Sequence, residues 1–344
     1  MPERKSLTLD GLTKRIGWGL VFGIVVLGMA MLYSDVDALG LAVSDFDFGV
    51  LFPVLGLSVL GYGMRALKWH LYLRRLHIML PFVESSVVFL AGLVMSITPA
   101  KVGEVLKSFL LKQSHGLAVS RTAPIVVAER LTDFIALVLL ALYGVATSGY
   151  GTAIVTAAGL MSLTLLMLMG SSRVGEWLLS RMESWPYASR FVPALRDAYG
   201  SSMLLMGARV TIVSVLLSIV AWGAEAVGMW LVLNAATGGA APFGLCVFVF
   251  SFGTVAGALS MLPGGLVATE GSMVVMLYEV FRIVSHRGTA TLVTLVVRFC
   301  TLWFGVLVGV FALIIHQRVY GVPTGRHSSH HDQCVAPPDG TGHQ

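Results

Sequence analysis

Two stretches of this chain place chemistry beside a broken backbone. Residues 96–104 read Ser-Ile-Thr-Pro-Ala-Lys-Val-Gly-Glu, and residues 260–270 read Ser-Met-Leu-Pro-Gly-Gly-Leu-Val-Ala-Thr-Glu. In each, Pro and Gly cut an apolar run, a carboxylate follows, and the sequence becomes apolar again. Proline lacks an N–H and glycine tolerates left-handed backbone, so both residues interrupt a helix. The candidate hinge residues are Pro99, Gly103, Pro263, Gly264, Gly265 and Gly271. Interrupted segments in corresponding halves point to a midplane binding site in a transporter built from repeats. For either copy alone, the plainer reading is a helix ending at the membrane surface.

Ionisable residues at membrane depth cost at least about 2.5–3.5 kcal/mol each, so they face a cavity or a partner. The first break supplies Lys101, Glu104 and Lys107, and the last two are three apart and can pair on one helix face. Glu129 and Asp133 are four apart and share a face, with Arg130 beside them. Two clustered carboxylates can bind a cation or raise one another's proton affinity, and they can equally close a helix entrance as a salt-bridged cluster. Glu225 and Arg298 lie inside apolar runs, and Glu270 follows the second break. Arg298 needs a partner, for which Glu270 and Glu225 are the natural candidates. Glu84, near the start of the first broken segment, could reach the interface instead.

These residues need a membrane bundle to position them. The 344-residue chain is 56% hydrophobic and 12% charged, with a mean hydropathy of +0.83. A soluble domain carries roughly 25% charged residues. Several apolar runs approach the roughly 20 residues that cross a bilayer core. The composition therefore predicts an all-α, polytopic membrane bundle of about six to eight spans. The basic residues suffice as cytoplasmic loop charges, and no nucleic-acid partner is implied. Residues 16–33 are long for a signal-peptide core, and no small-x-small cleavage site follows closely, so a retained anchor is expected.

Loop charges orient the spans. Arg4, Lys5, Lys14 and Arg15 precede residues 16–33, and Arg65, Lys68, Arg74 and Arg75 follow residues 48–64. The loop between carries Asp35, Asp37, Asp45 and Asp47 and no base, which places the N-terminus in the cytoplasm. Residues 65–76 mix basic and apolar side chains at helical spacing and suit a helix lying among headgroups. Residues 82–97 and 105–111 form a hairpin entering from the cytoplasm. Spans at 131–147 and 152–169 follow, with Glu129 at the mouth of the first. Residues 210–233 cross outward, 242–262 and 271–281 form a hairpin entering from outside, and 291–315 return the tail to the cytoplasm. The two hairpins then have opposite orientations, the logic of an inverted repeat. Two full spans around each break are the alternative. The divisions are a cytoplasmic segment 1–15, one membrane domain 16–315 with halves 16–170 and 209–315 joined by an amphipathic loop 171–208, and a disordered tail 316–344.

Catalytic signatures do not stand out. There is no Walker A loop for ATP hydrolysis, no GxSxG elbow and no HExxH pair. His70, His77 and His115 lie in basic interfacial stretches where a solvated role is expected. Cys246 and Cys300 lie in apolar runs and behave as small hydrophobes. The His-rich tail lacks fixed ligand spacing, so no metal and no cofactor are expected.

Residues 98–107 (Thr-Pro-Ala-Lys-Val-Gly-Glu-Val-Leu-Lys), 129–133 (Glu-Arg-Leu-Thr-Asp), 263–271 (Pro-Gly-Gly-Leu-Val-Ala-Thr-Glu-Gly) and Arg298 occur in that order. Together they resemble the lysylphosphatidylglycerol synthase transmembrane-region family, also called flippase-like membrane proteins, over about residues 16–315. The resemblance implies an integral membrane bundle that moves or handles lipids and lipid-linked carriers. In some members this region precedes a soluble aminoacyl-transfer domain, and nothing after Ile315 here is long enough for one. Ala100 and Lys101 stand where the family often has Gly and Arg, which stiffens the first break.

The expected function is flippase-like handling of an anionic phospholipid or polyprenyl-linked lipid in a bacterial or archaeal cytoplasmic membrane. Lys101, Lys107, Arg130 and Arg298 would meet an anionic headgroup. Glu104, Glu129, Asp133, Glu225 and Glu270 would bind cations, relay protons or hold the arginines. The competing readings are a lipid-modifying enzyme using Glu129 and Asp133, and a non-catalytic partner of a lipid or glycan synthase.

Overall fold

The computed structural model describes residues 36–44, 46–97, 105–148, 172–183, 207–239 and 241–320, with 192, 196 and 205. The apolar runs at 16–33 and 152–169, the tail from 321, and Pro99, Lys101, Gly103 and Glu104 lie outside the described residues. The regular elements described are all helical: α1 (Val36–Ser44), α2 (Leu51–Arg75), α3 (Phe82–Gly92), α4 (Leu106–His115), α5 (Val119–Thr147), α6 (Ser172–Glu183), α7 (Ala208–Thr237), α8 (Phe243–Leu259), α9 (Ala268–Val275) and α10 (Arg287–Val319). The molecule is an all-α membrane helix bundle. Phe48–Arg75, Ala208–Thr237 and Arg287–Val319 are long and apolar enough to span. At 1.5 Å per residue, α5 is also long enough, although charges interrupt its apolar face.

The broken segments are short. Phe82–Ile97 and Phe243–Leu259 fall below the spanning length. Each first arm packs on its own return arm, α3 on α4 and α8 on α9. A tight turn at Leu93–Ile97 extends α3, and another at Pro263–Gly265 follows α8. These two turns touch: a Cβ on Gly264 would lie 3.6 Å from the Ile97 Cα. Pro263, Gly264 and Gly265 sit in the second break as expected. Gly271 does not, because α9 runs straight through it with open space around it.

Around the hairpins the packing follows a reciprocal pattern. The long helix before each hairpin packs on its counterpart, α2 on α7. The long helix after each hairpin packs on the first arm of the other hairpin, α5 on α8 and α10 on α3. Glycine permits both of the last two contacts. A Cβ on Gly144 would meet Gly244 O and Phe248 N at 2.6 Å, and one on Gly309 would meet Val94 N at 2.6 Å. Helix backbones that close pack by van der Waals contact, the main driving force where the surrounding solvent is already apolar.

Two sequence expectations fail in this architecture. Residues 65–76 do not form a separate headgroup helix. They continue α2 to Arg75, with Trp69, Tyr72 and Leu73 fully buried. No Pro or Gly lies between Gly63 and Leu76, so nothing stops the helix, and Lys68 finds oxygen partners inside the bundle. Likewise α5 begins at Val119, so Glu129 and Asp133 lie mid-helix and not at a span's mouth.

Candidate functional site

Basic and acidic side chains from six elements meet where the hairpin tips converge. Arg65 on α2 donates from Nη2 to Glu225 Oε1 on α7 at 2.5 Å, with its guanidinium 4.0 Å above the Trp222 ring. The stacking adds a cation–π attraction that is strongest where water is excluded. Lys107 on α4 binds Glu129 Oε2 on α5 at 2.6 Å. Its ammonium lies 4.6 Å from the Trp69 ring centre and 5.0 Å from that of Phe89. Gly92 leaves room for its stem, since a Cβ there would come within 2.5 Å of Lys107 Cγ.

The second hairpin is held by one arginine. Arg298 on α10 binds Glu270 Oε1 on α9 at 2.5 Å through Nε, and the Gly264 carbonyl at 2.7 Å through Nη2. The planar fork of arginine thus ties the tip and the return arm of the same hairpin to α10. Directly after Arg298, α10 widens into a π turn at Phe299–Trp303. There the Thr301 carbonyl accepts a hydrogen bond from Tyr62 at 2.7 Å. The second tip also carries backbone strain. Met261 and the β-branched Val267 have φ of +57° and +71°, beside Gly264 and Gly265 at +62° and +67°. Such residues persist only where surrounding contacts hold them, and they cluster at switches and ligand clamps.

Behind these pairs stands Lys68, with 1% exposure. Its ammonium lies 2.5 Å from Asp133 Oδ1, 2.8 Å from Ser218 Oγ, 3.4 Å from Thr132 Oγ1 and 3.5 Å from the Glu129 carbonyl. Ser218 also donates to Asp133 Oδ1 at 2.8 Å. The other carboxylate oxygen, Oδ2, is 3.2 Å from Arg130 Nη2. An uncompensated buried charge is costly, so these pairings are what allow the charges to stay inside.

A cavity of about 380 Å³ opens between the tips. Arg65, Lys107, Arg130 and Arg298 line it, with Asp133, Glu225 and apolar surface from Tyr62, Phe89, Phe134, Trp222 and Phe250. Of the residues expected from sequence, Lys107, Arg130, Asp133, Glu225 and Arg298 reach this cavity. Glu129 and Glu270 stand behind it, each holding a lining cation. Glu270 is the partner of Arg298, while Glu225 is taken by Arg65. Lys107 pairs with Glu129, and its expected partner Glu104 lies outside the described residues. Glu129 and Asp133 are each salt-bridged, to Lys107 and to Lys68 and Arg130, but they sit mid-helix and not at the helix entrance expected of such a cluster.

Arg65 and Lys68 were not expected here. Their signal was the continuity of one face through Tyr62, Arg65, Trp69 and Tyr72. His70 is likewise buried and bonded to Ser85 Oγ at 2.8 Å, not solvated. Glu84 pairs with His115 at 3.1 Å, and Cys246 and Cys300 are buried free thiols.

A family model described as the lysylphosphatidylglycerol synthase TM region matches residues 18–309. The chain belongs to this family. The match includes both hairpins and every charged residue lining the cavity. No curated protein matches the chain. As a member of the lysylphosphatidylglycerol synthase TM-region family, it is a multi-pass membrane protein of a lipid-related class.

Proposed function

We propose that this protein is flippase-like and carries an anionic lipid headgroup through the cavity between its hairpin tips. The observation supporting the reading is the lining: among the described residues, four cationic side chains from α2, α4, α5 and α10 face one cavity with two carboxylates. Aromatic walls beside them suit the glycerol or first methylenes of a lipid. A phosphate would take over donors now held by Glu225, Glu129, Asp133 and Glu270, which makes those four carboxylates place-holders for the cargo. Lys101 and Glu104 belong to the same proposed set.

The reciprocal packing supports two repeat halves, about 16–170 and 209–315, with hairpins entering from opposite sides. The loop charges favour cytoplasmic termini and a bacterial or archaeal cytoplasmic membrane. Cysteine labelling at Lys101 and Ala268 tests this arrangement, and reaction of both from one side would contradict it.

The functional test is made in cells. Arg298→Gln and Glu270→Gln are expected to change headgroup exposure between leaflets while leaving the lipid inventory intact. Loss of a lipid species on deletion, seen by mass spectrometry, would favour the lipid-modifying enzyme. Unaltered sidedness in well-inserted variants, with a stable synthase complex, would favour the partner role.

A further inference from the structure

Lys68 is a buried ion that does not itself line the cavity. Its ammonium has three N–H bonds, yet four oxygens from α5 and α7 surround it: a carboxylate, two hydroxyls and a main-chain carbonyl. We propose that Lys68 and Asp133 form an exchangeable proton site coupled to anion binding in the cavity, so that an anionic lipid and a proton are taken up together. The proposal rests on the anionic-lipid reading above and adds the coupling ion to it.

Asp133 supplies the connection. One of its oxygens holds Lys68 and Ser218, while the residue itself lines the cavity with Oδ2 toward Arg130. Charge supplies the driving force. Among the described residues of this network, Arg65, Lys68, Lys107, Arg130 and Arg298 face Glu129, Asp133, Glu225 and Glu270. With all of them ionised, the network has one positive charge in excess. A buried network gains by shedding that excess when the cavity is empty, and by regaining the proton when a lipid anion arrives.

Guanidinium groups do not titrate in proteins, so the three arginines cannot supply the proton. Lys107 is the other amine. Its carboxylate partner Glu129 does not line the cavity, and its ammonium lies over the faces of Trp69 and Phe89. Lys68 therefore remains as the donor. The groups around it are Arg65 and Tyr72 on its own helix, Glu129, Arg130 and Asp133 on α5 and Ser218 on α7, with Glu225 on α7 and Lys107 on α4 further along the network. Glu84 on α3 belongs to a separate cluster with His115, as does His316 on α10, which is buried near them.

The transfer balances within the site. An N–H bond of Lys68 breaks as an O–H bond forms on Asp133 Oδ1, leaving a neutral amine and a neutral acid. Asp133 passes that proton to cavity water and regains its carboxylate, for a net loss of one proton from Lys68. Anion binding drives the same steps in reverse. Linkage requires the converse as well: protonation must tighten anion binding by the same factor.

The test is calorimetry of dioctanoyl phosphatidylglycerol binding to the full chain in phosphatidylcholine nanodiscs. Buffers of different ionisation enthalpy, between about pH 6 and pH 9.5, give the protons taken up per anion bound. The wild type is expected to take up as much as one proton at the alkaline end, and Lys68→Arg none, because a guanidinium keeps its charge. Ser218→Ala should retain uptake but move its midpoint by about half a pH unit or more, through loss of a hydrogen bond to both partners. That variant keeps the question decidable if the larger arginine does not fit. Equal uptake in wild type and Lys68→Arg, no uptake in the wild type, or an unmoved Ser218→Ala profile would overturn the proposal. Absence of any anion binding by the wild type would instead bring down the anionic-lipid reading beneath it.

Discussion

Each described lining cation carries its own carboxylate, and the driest pair is Lys107 and Glu129, with side-chain exposures of 2% and 1%. Removing one partner leaves a bare charge, while removing both leaves a shape to fill. Lys107→Met should therefore destabilise the protein by about 3–5 kcal/mol, and adding Glu129→Leu should restore most of that loss. Thermal unfolding in detergent measures both. Arg298, Glu270 and Glu225 were legible in the sequence because a charge inside an apolar run demands a partner. Arg65 and Lys68 were not, because they lie in a basic stretch that composition alone cannot distinguish from a surface helix. Only the neighbouring helices reveal that Asp133, Ser218 and Glu225 await them.

Helix lengths decide which side chains meet. Since α2 runs unbroken to Arg75, Arg65 and Lys68 reach the depth of Glu225 and Asp133. The second hairpin was readable from Pro263-Gly-Gly, but its strained residues Met261 and Val267 were not, since the β-branched Val267 above all is a poor candidate for positive φ on propensity alone. Val267 is half exposed, so little packing is lost on shortening it. Val267→Gly is expected to raise stability by about 1 kcal/mol by releasing the strain, and to weaken whatever work the tip performs. A thermal-shift measurement paired with a transport assay separates the two effects. The close crossing of α5 and α8 makes an opposite prediction. Gly144→Ala would push a methyl into the backbone of Gly244 and Phe248 and should cost about 1–3 kcal/mol, seen as a lower unfolding temperature.

At the scale of the whole molecule, two hairpins too short to span the bilayer are each enclosed by long helices. The reciprocal pattern of α2 on α7, α5 on α8 and α10 on α3 brings their tips together. Apolar runs and their breaks made the class and the hairpins readable, but the contact between Ile97 and Gly264 depends on packing that no local pattern encodes. Beside that contact, among the described residues, Arg65, Lys107, Arg130 and Arg298 line one cavity. Movement of anionic lipid through this cavity is the proposed function. It is tested most directly in vesicles reconstituted with the protein and containing fluorescently tagged phosphatidylglycerol or phosphatidylcholine, with membrane-impermeant dithionite reporting which leaflet the tag occupies. Inner-leaflet phosphatidylglycerol signal is expected to fall fast, at a rate reduced about tenfold or more in Arg65→Gln and Arg298→Gln, with phosphatidylcholine left near the protein-free rate. Equal rates for the two lipids, or an unchanged phosphatidylglycerol rate in both variants, would contradict it.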